Sequence, residues 1–208
     1  MTTIQRLLMA RSEATPVVVT IPEPELSGMA WVERYPGSNS LSELEPAFQA
    51  NVRAFIDAMM TAGARIRIAS TYRPEKRAYL MHWSYKIAKK KVKPNKADSR
   101  ADVPIMWDHG DEDRSINAAI AMANYFQTLH LGKPPALRSR HTARLAIDMN
   151  ITWTGSLIIS NKNGERLTIE STPRMGMNKE LHIIGASYGV IKFKGGAWDK
   201  PHWSSDGR

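Results

Sequence analysis

In the first third of the sequence, apolar side chains recur at the spacing of an amphipathic helix. Ser42 stands three residues before Glu45, which is the spacing of a capping box and marks the start of the predicted helix. Gly63 marks its end, because glycine readily takes the left-handed conformation that closes a helix. The positions of the buried stripe are Phe48, Val52, Phe55, Ile56 and Met59.

A strictly alternating segment follows this helix. Polar and apolar side chains take turns over Arg65–Ser70, which predicts a half-buried strand. The strand leads into Arg73 and Pro74; the proline disfavours a helical conformation at Arg73 and suits the first turn of a helix over residues 75–90. Arg73 is therefore predicted at a strand-to-helix junction, where side chains commonly face a cleft.

A third helix is predicted beyond a polar stretch. Residues 92–111 contain Pro94 and Pro104 and are expected to form a loop. Asp113 or Ser115 can cap the helix that follows. Its apolar stripe consists of Ile116, Ala119, Ile120, Ala123 and Phe126.

The rest of the sequence alternates short strands with turns. In one strand Ile147 and Asp148 fall on opposite faces, and an Asn163-Gly164 turn joins two others into a hairpin. The predicted elements are a strand over 144–151, a hairpin of 157–159 and 167–169, a helix over 178–187, and strands over 190–193 and 202–203. This order predicts an α+β domain in which a small antiparallel β-sheet is flanked by helices.

The N-terminal stretch has a different character, since prolines replace periodic patterns. Residues 1–40 are predicted to form an arm over the main domain, residues 41–208, with Val17–Val19 as an edge strand. The segment from Met1 to Met9 lacks the apolar core of a signal peptide, and no apolar run approaches a membrane span. We therefore expect synthesis in the cytoplasm without a signal peptide, and no transmembrane segment.

The charge balance bears on the choice of partner. The 208 residues carry 29 Lys and Arg against 20 Asp and Glu, a net charge of +9, and six of the lysines lie between Lys86 and Lys96. Such an excess favours a polyanion such as an anionic cell envelope, acidic lipid or nucleic acid, although it can equally serve to solvate the surface. Only Tyr85 accompanies the lysine run, so no specific nucleic-acid partner is expected.

The absence of cysteine leaves His, Asp and Glu as the available metal ligands. Asp148 stands among apolar residues, where a buried carboxylate needs a cation or strong donors. His141 precedes it by seven positions, and His202 follows Pro201 near the end of the sequence. Two histidines and one carboxylate suit a catalytic zinc with one position for water. Taken alone, a loop histidine and a strand aspartate are more often a surface group and a structural hydrogen-bond acceptor.

Two motifs resemble those of a known peptidase family. Residues 139–148 read Ser-Arg-His-Thr-Ala-Arg-Leu-Ala-Ile-Asp, and residues 195–202 read Gly-Gly-Ala-Trp-Asp-Lys-Pro-His. They are similar to Ser-x-His-x-x-Gly-x-Ala-x-Asp and to Gly-Gly-x-Trp followed by Asp-x-Pro-His in the zinc D-alanyl-D-alanine carboxypeptidases and L-alanyl-D-glutamate peptidases of the hedgehog/DD-peptidase fold. Tyr72-Arg73 resembles the upstream Tyr-Arg of that family. Arg144 departs from the pattern, because the family has glycine there.

The resemblance implies a role for each motif residue. His141, Asp148 and His202 would hold one zinc ion per chain. Asp199 would act as general base and then general acid. Arg73 would stabilise negative charge on the scissile carbonyl, or else form a surface ion pair.

The resemblance further implies substrate contacts from Ser139, Tyr72 and Trp203, although Ser139 can instead be a structural cap. The expected function is zinc-dependent hydrolysis of stem or cross-link peptides of peptidoglycan. The protein would reach the cell wall as a phage-type endolysin, or as an antibacterial effector with a delivery system and an immunity protein. The alternative is a non-catalytic wall- or polyanion-binding module of the same fold. The motifs do not indicate which peptide bond of peptidoglycan is cut, since carboxypeptidase and endopeptidase activities occur on closely similar sites.

Overall fold

The computed structural model of the protein describes residues 23–208, which contain four α-helices and eight β-strands. The predicted α+β class is confirmed, with a small antiparallel sheet among helices. The helices are α1 (Pro46–Thr61), α2 (Glu75–Ala88), α3 (Glu112–Tyr125) and α4 (Lys179–Ser187). The strands are β1 (Glu25–Leu26), β2 (Arg65–Ser70), β3 (Ile105–Met106), β4 (Ala146–Thr152), β5 (Leu157–Ser160), β6 (Arg166–Ile169), β7 (Ile191–Lys192) and β8 (His202–Ser204).

The central sheet has the strand order β2-β4-β8-β7, and every neighbouring pair is antiparallel. In β4, Ile147 and Met149 are buried in the core, and Asp148 lies on the opposite face, as the alternation predicts. Strand β8 pairs with β4 so that His202 stands directly opposite Asp148. The sheet thus brings together two ligand-type side chains that are far apart in sequence.

Helix α1 packs against the core face of this sheet, and its five predicted apolar positions are all buried. The predicted start at Ser42 is wrong. The helix begins at Pro46, and the Glu45 carboxylate accepts hydrogen bonds from the amides of Ala47 and Phe48 at 3.1 and 3.2 Å. Proline suits this position because its ring presets a helical φ and it needs no partner for an amide proton.

A second core lies between α2 and α3. Trp31, from the predicted N-terminal arm, is fully buried there, and β1 pairs in parallel with β3. The stretch predicted as a plain loop, residues 92–111, therefore contains a short strand.

Helix α3 is capped by Asp111, whose side chain accepts from the Arg114 amide at 2.8 Å, and not by Asp113 or Ser115. The predicted strand at Val17–Val19 lies outside the described residues.

Two further sequence predictions are confirmed in the C-terminal half. Strands β5 and β6 form the hairpin, with Gly164 at a φ of +85° in the turn, a conformation that glycine adopts without strain. Asn178 caps α4 and accepts from the amides of Glu180 and Leu181. Among residues 23–208, no helix has the length and apolar character needed to cross a membrane.

Candidate metal centre

Three ligand-type side chains meet on the outer face of the central sheet. His141 lies in the turn before β4, Asp148 within β4, and His202 at the start of β8. His141 Nε2 is 3.1 Å from His202 Nδ1, and Asp148 Oδ1 is 3.3 Å from the first nitrogen and 3.2 Å from the second. Both imidazoles are buried. This group could hold a metal ion.

Backbone carbonyls orient both imidazole rings. His141 Nδ1 lies 3.0 Å from the Thr71 carbonyl oxygen, and His202 Nε2 lies 3.0 Å from that of Arg208. A carbonyl oxygen can only accept, so these ring nitrogens carry the N–H, and His141 Nε2 and His202 Nδ1 present lone pairs. In the neutral rings neither inner nitrogen has a proton to give, which leaves the buried Asp148 Oδ1 without a donor. Three lone-pair donors therefore converge on one point, where a cation would satisfy all of them.

The charges around this point favour a cation. Burial acts to raise the pKa of Asp148, but the hydrogen bonds and positive charge that His141 and His202 supply when their rings are protonated outweigh burial and hold that pKa well below its usual range. Burial acts to lower the pKa of His202, but Asp148 and Asp199 outweigh it and raise that pKa. Both shifts have the same origin, since negative charge concentrated among the ligands stabilises a nearby positive charge.

Asp199 lies beside the three ligands without joining them. It ends the 3₁₀ helix Gly196–Asp199, and its Oδ2 is 3.8 Å from His202 Nδ1. The side chain is half exposed, so solvent or a substrate can reach it. Burial and the charge of Asp148 raise the pKa of Asp199, while the two histidines act to lower it. A carboxyl with a raised pKa is better matched to proton transfer near neutral pH than an ordinary aspartate.

Arg73 lies next to the turn that carries His141. Its amide donates to the His141 carbonyl at 3.3 Å, which joins the strand-to-helix junction to the ligand turn. Burial lowers the pKa of Arg73, and the charges of Asp148 and Asp199 act to raise it. An open cleft of about 510 Å³ lies beside it, lined also by Arg77 and by no carboxylate.

The structure shows how an arginine, Arg144, occupies the position where the motif has glycine. It has a φ of +61°, the left-handed region that glycine occupies most easily. Its guanidinium lies 3.8 Å above the Tyr72 ring and pairs with the Glu43 carboxylate. The turn therefore keeps the conformation expected of glycine, and the arginine side chain covers Tyr72 from outside.

The remaining predicted substrate contacts have different environments. Ser139 Oγ accepts from the Thr142 amide at 3.3 Å, so it caps the turn that carries His141; its contact with substrate stays a prediction. The substrate contact predicted for Trp203 is wrong for its side chain, which is 0% exposed and packs against Phe55. Successive residues of a strand point to opposite faces, so a ligand at His202 places Trp203 in the core. The tryptophan exposed beside the site is Trp198, at 90%.

Two features near the site were missed by sequence reasoning. Lys192 is buried in β7 next to the segment that carries Asp199; burial lowers its pKa to about 8, although Asp199 and Asp148 act to raise it. The only signal in the sequence is a lysine inside an apolar run. Asp206 pairs with Arg140 and with Arg208, an interaction without any characteristic spacing.

Comparison of the chain with family models, with curated proteins and with solved structures found no match.

Proposed function

We propose that this protein is a zinc-dependent peptidase that hydrolyses a peptide bond in the stem or cross-link peptides of bacterial peptidoglycan. The observation that carries the proposal is the triangle of lone-pair donors from His141, Asp148 and His202, with sides of 3.1 to 3.3 Å. Ligands about 2.0–2.1 Å from a tetrahedral zinc lie about 3.3–3.4 Å apart. Two nitrogens and one oxygen are also a common ligand set for catalytic zinc, which keeps one position open.

The surrounding side chains fit the hydrolysis of an amide. Zinc held by such a triad supplies a Lewis acid and makes water acidic enough to react near neutral pH. The Asp199 carboxylate, 3.8 Å from His202 Nδ1, would accept a proton from the attacking water and return it to the departing amine. The Arg73 guanidinium would donate hydrogen bonds to the carbonyl oxygen as negative charge develops there.

The cell wall is proposed as the target on two grounds. The motif resemblance is to peptidases that act on wall peptides, and the net charge of +9 suits an anionic envelope. The endolysin and effector versions of the proposal differ in one requirement. Only an effector needs an immunity protein that protects the producing cell.

A second candidate function rests on a separate surface. Lys89, Lys90, Lys91, Lys93 and Lys96 are exposed, and none forms an ion pair within residues 23–208. This surface supports binding to an anionic wall polymer, either beside catalysis or as the whole function of a non-catalytic module.

The first experiment is elemental analysis of the purified protein together with His202→Ala. We expect about one zinc per chain in the unmodified protein and none in the variant, because His202 supplies one of three ligands. His130→Ala is the matched control, since His130 is exposed and is not one of the three grouped side chains. Failure to bind zinc at neutral pH, even after the metal is added, would refute the proposal.

The bond is identified by mass spectrometry of digested wall fragments. Release of a terminal D-alanine indicates a carboxypeptidase, and release of a longer stem or bridge fragment indicates an endopeptidase. A protein that binds zinc but cuts neither stem nor cross-link peptides contradicts the proposed substrate.

A further inference from the structure

Lys192 is a buried lysine whose ammonium, among residues 23–208, donates hydrogen bonds only to backbone carbonyls. It is 6% exposed, and its Nζ lies 2.7 Å from the carbonyl oxygens of Lys200 and His202 and 3.3 Å from that of Asp199. An ammonium has three protons to donate, and here each has one acceptor. A buried charge without a carboxylate partner is costly, and here the three hydrogen bonds to backbone carbonyls offset that cost.

The three carbonyls belong to one short segment, which joins the 3₁₀ helix ending at Asp199 to β8 beginning at His202. The backbone of this segment has few other supports. The Pro201 carbonyl accepts from the Met149 amide at 2.8 Å, and that of His202 accepts from the Phe193 amide at 3.2 Å. Among residues 23–208, no backbone amide donates to the carbonyl of Lys200.

The ammonium is held in place from the other side by the core. Its Nζ lies 5.3 Å from the centre of the Trp203 ring, and that ring is fully buried. A side chain fixed at the core therefore holds the carbonyls of a surface segment. The Asp199 carboxylate, in contrast, accepts no hydrogen bond from any described residue, so its place depends on the backbone beneath it.

We propose that Lys192 is a positioning residue, which fixes the backbone of Asp199 relative to His202 so that the carboxylate stays within reach of the metal centre. The inference rests on the proposed function, because it concerns the group proposed as the general base. Lys192 does not itself contact the substrate in this role. It acts through the Asp199 backbone, and the reaction it serves is proton transfer.

The absence of cysteine gives a sharp test. Lys192→Cys introduces the only thiol of the protein, which can be alkylated in the unfolded state before refolding with zinc. Reaction with 2-bromoethylamine forms a C–S bond, releases bromide and rebuilds an ammonium at lysine length. Reaction with iodoacetamide gives a neutral side chain of similar length. Unmodified protein taken through the same unfolding and refolding is the reference.

The expected result is a loss of kcat without loss of metal. A displacement of about 1 Å lowers a rate about 100-fold, so we expect kcat to fall about 10- to 100-fold in the neutral form and to recover within about threefold in the aminoethyl form. We expect KM to change less than threefold and each form to keep one zinc. Lys133→Cys, treated identically, is the control, because Lys133 is exposed and lies outside the segment that carries Asp199.

Lys192→Arg covers the case in which the neutral form fails to refold. Arginine keeps the charge, but its planar donors cannot meet the same three carbonyls, so we expect about a tenfold lower kcat with zinc and KM unchanged. An unaltered kcat in either variant overturns the positioning role. A fall in zinc content parallel to the fall in kcat also overturns it, because Lys192 would then support the ligand His202. If the unmodified protein binds zinc but cuts no wall peptide, the proposed function fails first.

Discussion

The two sides of the candidate metal centre, the side with the three candidate ligands and the side with the proposed reacting groups, are built differently. On the ligand side, His141 and His202 each bond through their outer nitrogen to a backbone carbonyl, and Asp148 stands within the longest strand of the sheet. On the reacting side, the side chains of Asp199 and Arg73 have no hydrogen-bond partner among residues 23–208. The ligands are thus fixed in advance, whereas the groups proposed to handle protons and charge are left free for a substrate.

Asp148→Ala should break the ligand side most completely. Losing an outer partner of a metal ligand typically lowers metal affinity about 10- to 100-fold, so losing the ligand itself should lower it further and abolish hydrolysis. Zinc titration with a competing chelator measures the affinity. Asp57→Ala is the matched control, because Asp57 is exposed on α1. A variant that kept wild-type zinc affinity would show that Asp148 is a structural acceptor only.

Asp199→Ala should break the reacting side and leave the ligand side intact. General acid–base catalysis contributes about 100- to 10,000-fold to a rate, and we expect kcat to fall within that range while one zinc stays bound. Peptide release measures the fall in kcat, and the zinc content of the same samples shows whether the metal stays bound. If wall binding is the only activity found and the variant retains it fully, the non-catalytic module becomes the better description.

Asp206→Ala should lower the affinity for zinc although Asp206 is not one of the three candidate ligands. Arg140 Nε donates to the Asp206 carboxylate at 3.0 Å, and Arg208 Nε donates to it at 2.7 Å. These bonds hold the Arg208 carbonyl against His202 Nε2. Without them we expect zinc affinity about 10- to 100-fold lower, with kcat nearly unchanged when zinc is saturating.

The chelator titration used for Asp148→Ala measures this difference as well. Asp57→Ala again serves as control. Equal zinc affinities in Asp206→Ala and the control would mean that β8 alone orients His202.

The different origins of the two sides explain what the sequence could predict. Alternation in β4 predicts that Asp148 lies opposite the core face, and short motifs point to the three candidate ligands. The same alternation applied to β8 would have removed Trp203 from the substrate contacts, because a neighbour of an outward ligand points inward. The alternation of side chains along a strand predicted the faces of β4 correctly. The error on Trp203 arose because this alternation was not applied to β8.

Lys192 and Asp206 could not be predicted in this way. Lys192 bonds to backbone carbonyls, which every residue carries, so no side-chain pattern marks its partners. Asp206 meets Arg140 only after β8 has paired with β4, and this contact joins residues far apart in sequence. The residues that position a site depend on contacts that form only in the folded chain. The residues that could bind a metal must be of particular types, and a sequence shows those types directly.

The smallest expected effect concerns Arg144, whose guanidinium lies above the Tyr72 ring and which follows His141 by three residues. Its φ of +61° costs a residue with a Cβ about 1–2 kcal/mol relative to the right-handed region. The arginine offsets part of this through its contact with Tyr72, about 0.5–1 kcal/mol for an exposed cation–π pair, and through a surface ion pair with Glu43 of about 0–1 kcal/mol. The terms nearly cancel, so replacement by glycine should change stability little.

Arg144→Gly and Arg144→Ala separate these terms. Both variants lose the arginine contacts, but only glycine escapes the penalty of the positive φ, so the glycine variant should be more stable than the alanine variant by about 1 kcal/mol. Urea unfolding of the two zinc-loaded proteins measures the difference. Equal stabilities would mean that the turn relaxes to another conformation once the guanidinium leaves Tyr72. The contacts of the arginine side chain would then hold the turn in a conformation that its backbone does not otherwise prefer. Arginine at position 144 would stabilise the turn through these contacts.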